Sequence, residues 1–286
     1  MMVDVVALLL QGAPEATVLA LAALGELVLE RTGLINLGLE GMLYLGSALA
    51  AYVAVSTGSL AAGFVAGILA GILLALVYAL LVIGLKADQA VTGLALVFLG
   101  IGLGDVIGSA TKGVLAPALS PLGEDAVMAL VMLAFPLLLY IILYRSWRGY
   151  ALRSLGENEE AARMLGVDVT KMRIIALIVA GAAAGAAGAF FLAGPSNGRW
   201  SAGRAIGWGW LSLGTVILGY WHPVGVVAAA YLLGILYAVT PLLQEIGVHA
   251  AVADAVPYIV VVAALTVISW IYERAGVRPP AAVWRR

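Results

Sequence analysis

Long apolar runs dominate the chain and are separated by short polar or Gly- and Pro-containing stretches. A helix that crosses a bilayer needs about 20 mostly apolar residues, whereas a strand of a membrane barrel alternates polar and apolar positions. The runs here do not alternate, so they predict helices rather than strands. They cover residues 5–24, 36–55, 60–85, 90–110, 126–145, 173–193, 206–221, 224–241 and 255–272.

The run at 206–221 is short for a crossing, and His222, Pro223 and Gly225 separate it from the next run. This pattern fits either two crossings joined by a tight turn or a broken helix that lines a cavity. We therefore predict an all-α polytopic membrane protein with about eight or nine transmembrane helices, some of them broken or re-entrant. The residues 1–286 are expected to form a single transmembrane domain.

Small residues recur at four-residue spacing in two of the runs. Gly63, Gly67 and Gly71 form one such stripe, and Gly181, Gly185 and the nearby Gly188 form another. Lipid provides no hydrophobic force between helices, so close backbone approach through small residues is what favours their association. We expect these glycines to pack helices tightly and assign them no ligand.

Composition supports the membrane interpretation. The chain is 64% hydrophobic and 11% charged, with a mean hydropathy of +1.09, whereas a soluble domain is about 45–50% apolar and about 25% charged. The net charge of −1 predicts no nucleic-acid partner. The absence of cysteine excludes disulfides, thiol catalysis and thiolate metal sites. No positively charged region precedes the first apolar run, so we expect that run to be retained.

Lysine and arginine predict the orientation. Ten of the fifteen lie in two stretches, six between Arg145 and Arg173 and four between Arg274 and Arg286. The positive-inside rule places both on the cytoplasmic side of a plasma or inner membrane, and the four runs between them fit that placement. The turn 86–89 is then cytoplasmic and the loop 111–125 external. The N-terminus is external if all nine runs cross, and a re-entrant first run reverses that side.

The stretch 153–173, RSLGENEEAARMLGVDVTKMR, concentrates charge in a chain that otherwise avoids it. Asn158 is predicted to cap a short helix, with Glu159 and Glu160 in its first turn, where the helix dipole favours anions. Gly166 can end that helix. Its small apolar face consists of Ala161, Ala162, Met164 and Leu165. A cytoplasmic loop is ordinarily polar, which explains charge alone; the cap and the apolar face favour a helix that docks on a cytoplasmic protein.

Four blocks of the chain resemble one protein family. Glu160-Ala161-Ala162 with Gly166 is similar to the EAA motif of ABC-transporter permeases. The blocks GELVLERTGLINLGLEGM (25–42), ADQAVTGLAL (87–96) and SAGRAIGWGWLSLGTVILGYWHPVG (201–225) resemble the nucleoside-type and simple-sugar-type permeases of the branched-chain amino acid/ribose permease superfamily. The stretch 205–210, AIGWGW, departs from the Gly-aromatic-Ile-Ala expected there, which leaves the substrate open.

The resemblance implies that 1–286 is the permease domain of an ABC importer of nucleosides or related simple sugars, with 146–172 as its cytoplasmic coupling loop. The implied partners are a cytoplasmic ATP-binding subunit, a second permease chain in a heterodimer and an extracytoplasmic substrate-binding protein. The implied coupling residues are Asn158, Glu159, Glu160, Ala161, Ala162 and Gly166. The alternatives are an ion-gradient-driven secondary transporter and a permease for branched-chain amino acids.

No catalytic residue, metal or cofactor is expected in this chain, because it has no P-loop, HExxH or GxSxG motif. Polar groups at membrane depth are costly and are therefore candidates for function. We interpret Glu26, Glu30 and Arg31 as interface residues whose charges reach water. Asp88 is expected to cap a helix or to serve a gate. The candidate substrate path consists of Asn36, Glu40, Gln89, Phe98, Asn197 and Trp208, although tryptophan at a helix end is often an interfacial belt residue.

Overall fold

The computed structural model of the protein describes residue 8 and residues 10–275. The start of the first predicted run and the basic tail beyond 275 lie outside the described residues. Within the described part of the chain, seven helices are long and apolar enough to cross a membrane, and one further apolar helix is shorter. The prediction of an all-α polytopic membrane protein is thus confirmed.

Five long helices form the first half of the chain: α1 Ala13–Glu30, α2 Leu39–Thr57, α3 Leu60–Gly84, α4 Gln89–Ser109 and α5 Pro121–Arg145. Two short helices follow: α6 Trp147–Glu157 and α7 Glu159–Met164. The second half contains α8 Val169–Ala193, α9 Trp208–Leu218, α10 Pro223–Glu245 and α11 Ala250–Ala275. Helices α3 and α5 each include a π-helical stretch, Ala79–Gly84 and Leu130–Ala134.

Helix α8 packs at the centre of the bundle against α1, α2 and α3. The two predicted glycine stripes meet there: a Cβ atom on Gly71 would lie 1.9 Å from the carbonyl oxygen of Gly181, and one on Gly185 would lie 2.1 Å from that of Gly67. Any side chain larger than hydrogen would therefore force the backbones apart. The predicted role of these glycines in tight helix packing is confirmed.

The first helix runs further along the chain than its apolar run. It ends at Glu30 rather than near residue 24, because Glu26 and Glu30 are buried inside the bundle. The interpretation that these two carboxylates reach water is wrong. Glu26 accepts a hydrogen bond from the backbone amide of Asn36 at 2.9 Å, and Glu30 accepts one from the Trp221 indole.

Helix α9 is the short element predicted at 206–221. It has 11 residues, which corresponds to a rise of about 16 Å, roughly half of the hydrocarbon thickness. A turn with left-handed backbone at Tyr220 and Trp221 follows it, and Pro223 occupies the first turn of α10. Of the two alternatives for this region, the length favours the broken helix.

Candidate coupling surface and translocation path

Helix α7 is held by a cap within its own sequence. The Asn158 side chain accepts a hydrogen bond from the Ala161 amide at 3.1 Å, with Glu159 and Glu160 in the first turn. Gly166 has φ +82°, the left-handed conformation that ends many helices. The predicted cap and stop are therefore confirmed as structure.

The apolar residues of α7 divide between two faces. Ala162 is buried with Leu155 and Val169, so it anchors the helix to its own loop. On the opposite side Ala161 is exposed, and Met164 and Leu165 are 78% and 76% exposed. We call these three residues the outer face of α7. Large exposed apolar side chains on an otherwise polar loop are typical of a binding surface.

The two first-turn carboxylates also differ. Glu160 is exposed to solvent, whereas Glu159 accepts hydrogen bonds from Arg163 at 2.7 Å and from Arg173 of α8 at 2.8 Å. The Arg163 guanidinium, helped by that of Arg173, holds the pKa of Glu159 below its ordinary value. Glu159 therefore faces the fold, and Glu160 faces outward beside the outer face.

Residues 31–38, which we call the α1–α2 link, form an irregular, partly buried segment. The Tyr78 hydroxyl donates to the Ile35 carbonyl at 2.8 Å, and the Ile35 amide donates to the Gln89 side chain at 3.4 Å. Asn36 is fully buried and accepts from the Gly38 amide at 2.9 Å. The structure thus brings Asn36 and Gln89 to one place, where α1, α3 and α4 hold the link.

Glu40 caps α9 from another helix. Its carboxylate accepts hydrogen bonds from the amides of Gly207, Gly209 and Trp210 at 2.5, 2.8 and 3.2 Å. These are amides that a helix start leaves without partners, and a negative charge is favoured there. Glu40 is buried. This candidate path residue therefore has a structural role, because its carboxylate holds the start of α9.

The remaining path candidates lie apart. Trp208 is buried and stacks on Tyr237 with ring centroids 4.7 Å apart. Phe98 is 75% exposed on the surface of α4, and Asn197 is exposed in the turn after α8. The six candidates therefore form two groups, at the link and at the start of α9, plus two outward residues. Their contact with substrate remains a prediction.

Sequence reasoning missed a second bond between α2 and the segment before α9. The Tyr44 hydroxyl donates to Asp105 at 2.5 Å and accepts from the Gly203 amide at 2.9 Å. Glu40 and Tyr44 are four residues apart in one helix, so they share a face. Their spacing indicates that Glu40 and Tyr44 contact the same neighbouring segment, but nothing nearby in the sequence identifies that segment.

A bundle of long apolar helices with one shorter apolar helix among them defines a multi-pass membrane protein. The chain belongs to the family of permease components of branched-chain amino acid transport systems, whose model matches residues 8–265. The predicted family is thus confirmed.

Curated relatives agree with this membership. A permease protein of Haloferax volcanii named for glucose ABC transport is 38% identical over 243 residues, 78% of this chain and 73% of the relative. The guanosine ABC transporter permease protein of Bacillus subtilis is 28% identical over 285 residues, 88% of each chain. The nucleoside ABC transporter permease protein of Lactococcus lactis is 25% identical over 246 residues, 77% of each. No solved structure matches the chain.

Proposed function

We propose that this chain is the permease subunit of an ATP-binding cassette importer and forms, with a second permease chain, the path for nucleosides or related simple sugars. The observation that carries the proposal is α7: a capped helix with an exposed apolar outer face on the most charged loop of the chain. Family membership supports the permease class. The protein is a multi-pass protein of the plasma or inner membrane.

The orientation follows from charge. Loop 146–172 holds four of the chain's fifteen lysines and arginines, with Arg145 and Arg173 directly beside it, and lies in the cytoplasm by the positive-inside rule, as does the C-terminal tail. The outer face of α7 then meets a cytoplasmic ATP-binding subunit, and an extracytoplasmic binding protein delivers substrate from the other side. ATP-driven movement of α7 switches the helix bundle between outward and inward access. Hydrolysis takes place in the ATP-binding subunit.

A charge reversal beside the outer face tests this docking. Glu160→Lys is expected to reduce ATP-driven uptake at least about tenfold. A positive charge in place of the carboxylate would oppose the docking of α7 on the ATP-binding subunit. The assay is substrate uptake by the assembled importer in proteoliposomes. Arg163→Gln is a suitable control, since it removes an exposed charge from the same helix. Normal uptake with normal assembly in Glu160→Lys would contradict the proposed docking.

The substrate class is supported by relatives named for guanosine, nucleosides and glucose. Binding of labelled guanosine and glucose by the cognate binding protein identifies what reaches the permease. We expect one of the two to bind and to be transported only when ATP is inside the vesicles. Uptake by this chain alone, without ATP and under an ion gradient, would instead establish a secondary transporter.

A further inference from the structure

We propose that Arg173 is the positioning residue that joins the coupling helix α7 to the α1–α2 link. The proposal rests on the proposed function, because it assigns the route by which movement of α7 reaches the helices around the path. It concerns a contact inside the chain and is separate from the docking of α7 on a partner.

At the α7 end, Glu159 is held by two arginines in different environments. Arg163 lies on the same helix, and its side chain is 58% exposed. Arg173 lies on α8, and its side chain is only 16% exposed. The Arg163 bond therefore stays within α7, whereas the Arg173 bond connects α7 to the central helix of the bundle.

At the other end, Arg173 also reaches the link. The same terminal nitrogen, Nη2, donates to the Thr32 carbonyl at 3.4 Å. The coupling loop touches the link at a second point, where a Cβ atom on Gly156 would lie 2.5 Å from the Arg31 carbonyl oxygen. One guanidinium thus contacts both α7 and a backbone segment 141 residues away.

The link in turn is bonded to three long helices. Glu26 of α1 binds the Asn36 amide, Tyr78 of α3 binds the Ile35 carbonyl, and Gln89 of α4 accepts from the Ile35 amide. A displacement of the link is therefore felt by α1, α3 and α4 together. The bond from Arg173 to Thr32, the backbone of residues 32–36 and these three bonds together connect α7 to the bundle.

A cleft separates α7 from the link elsewhere. It has a volume of about 500 Å³, and its walls include Leu34 of the link, Lys86 at the end of α3, and Glu159, Arg163 and Arg173. Open space beside the contact means that apolar packing does not bridge this part of the gap. Arg173 thus makes a polar connection across it, through Glu159 and Thr32. A charge-assisted hydrogen bond is suited to that role because it is short, directional and stronger than a neutral one.

The experiment compares two neutral replacements in the complete importer. Arg173→Gln and Arg163→Gln each remove one partner of Glu159, but only the first also removes the bond to Thr32. Proteoliposomes report uptake of the transported substrate and ATP hydrolysis in the same sample. We expect Arg173→Gln to lower the number of substrate molecules taken up per ATP by about tenfold, because it alone removes the charged connection from α7 to α8 and the link. We expect Arg163→Gln to leave that number within about twofold, because its bond stays within α7. Equal ratios in the two variants would overturn the proposal.

A conservative variant, Arg173→Lys, keeps the proposal testable if the Arg173→Gln importer does not assemble. Arg173→Lys keeps the charge for Glu159, but the lysine side chain is shorter and its compact ammonium lacks the rigid planar geometry that places Nη2 between both partners. We expect an intermediate ratio, and a wild-type ratio would overturn the proposal. In the double variant Glu159→Arg with Arg173→Glu, recovery above Arg173→Gln supports the α7 half of the connection, and no recovery overturns it. Absence of uptake by the wild-type importer would instead contradict the proposed function.

Discussion

Helices α7 and α9 are both too short to cross a membrane, and they are capped in opposite ways. Asn158 caps α7 from the adjacent position, so the helix forms from local sequence. The start of α9, at Gly207 with φ +97°, has no side-chain cap of its own, and Glu40 supplies one from 167 residues earlier. A local cap leaves a helix free to move as a unit, whereas a distant cap ties a helix to another element.

The largest expected effect comes from removing the distant cap. Glu40→Ala leaves three amides at the start of α9 without their acceptor and is expected to lower the free energy of unfolding by about 3 kcal/mol. Thermal unfolding in detergent measures this loss, and hydrogen exchange at Gly209 and Trp210 localises it. Glu160→Ala is the matched control, because an exposed carboxylate away from such bonds changes stability by less than about 0.5 kcal/mol. Unchanged exchange at these two amides in Glu40→Ala would contradict the distant cap.

Removing the local cap is expected to have a smaller and more confined effect. Asn158→Ala should destabilise α7 by about 1 kcal/mol, which is roughly a fivefold increase in amide exchange of that helix. The temperature of global unfolding should not change, because Ala162 still anchors the loop. Asn158→Asp retains a capping oxygen and should restore protection. A large drop in global stability with Asn158→Ala would show that α7 is not an independent unit.

The smallest effect is the pH dependence of Glu159. Its arginine partners lower the pKa of Glu159, so its stabilisation is present above the ordinary carboxyl pKa and is lost as the pH falls through the lowered value. The side chain is 39% exposed, and solvent screening limits the effect to about 0.5 kcal/mol. The protection of the α7 amides, measured relative to an unfolded peptide at the same pH, should therefore fall in acid in the native chain and depend less on pH in Glu159→Gln. The same acid response in both would exclude Glu159 as its source.

The contrast between a local and a distant cap also explains which features of the fold the sequence could predict. The apolar runs predicted the long helices to within a few residues at most ends, and the pattern Asn158 to Gly166 predicted α7 with its cap, since those signals are local. The role of Glu40 and the burial of Glu26 and Glu30 were not predictable. The partners of Glu40, Glu26 and Glu30 are Gly207, Asn36 and Trp221, respectively. Only packing of the bundle brings these groups together.

The candidate path shows the same limit. Polarity at membrane depth makes Asn36 and Gln89 candidates, and the fold brings both to the α1–α2 link. The aromatic ring of Phe98 and the amide of Asn197 make these two residues candidates by chemistry alone, and both are exposed in the fold. Polarity at membrane depth is a good indicator that a residue has a partner, but it does not indicate whether that partner is another part of the chain or a substrate.

The glycine contacts of α8 have a consequence for how such a pathway could be redesigned. Backbone lies directly on backbone where Gly67 and Gly71 of α3 meet Gly181 and Gly185 of α8, so these positions have no side chain that could rearrange to let the helices separate. A cavity for a bulkier cargo cannot be made at these glycines, since they have no side chain to shorten and the side chains beside them include only the methyl groups of Ala75 and Ala189. Engineered changes in cargo size must therefore be made on the other walls of the bundle.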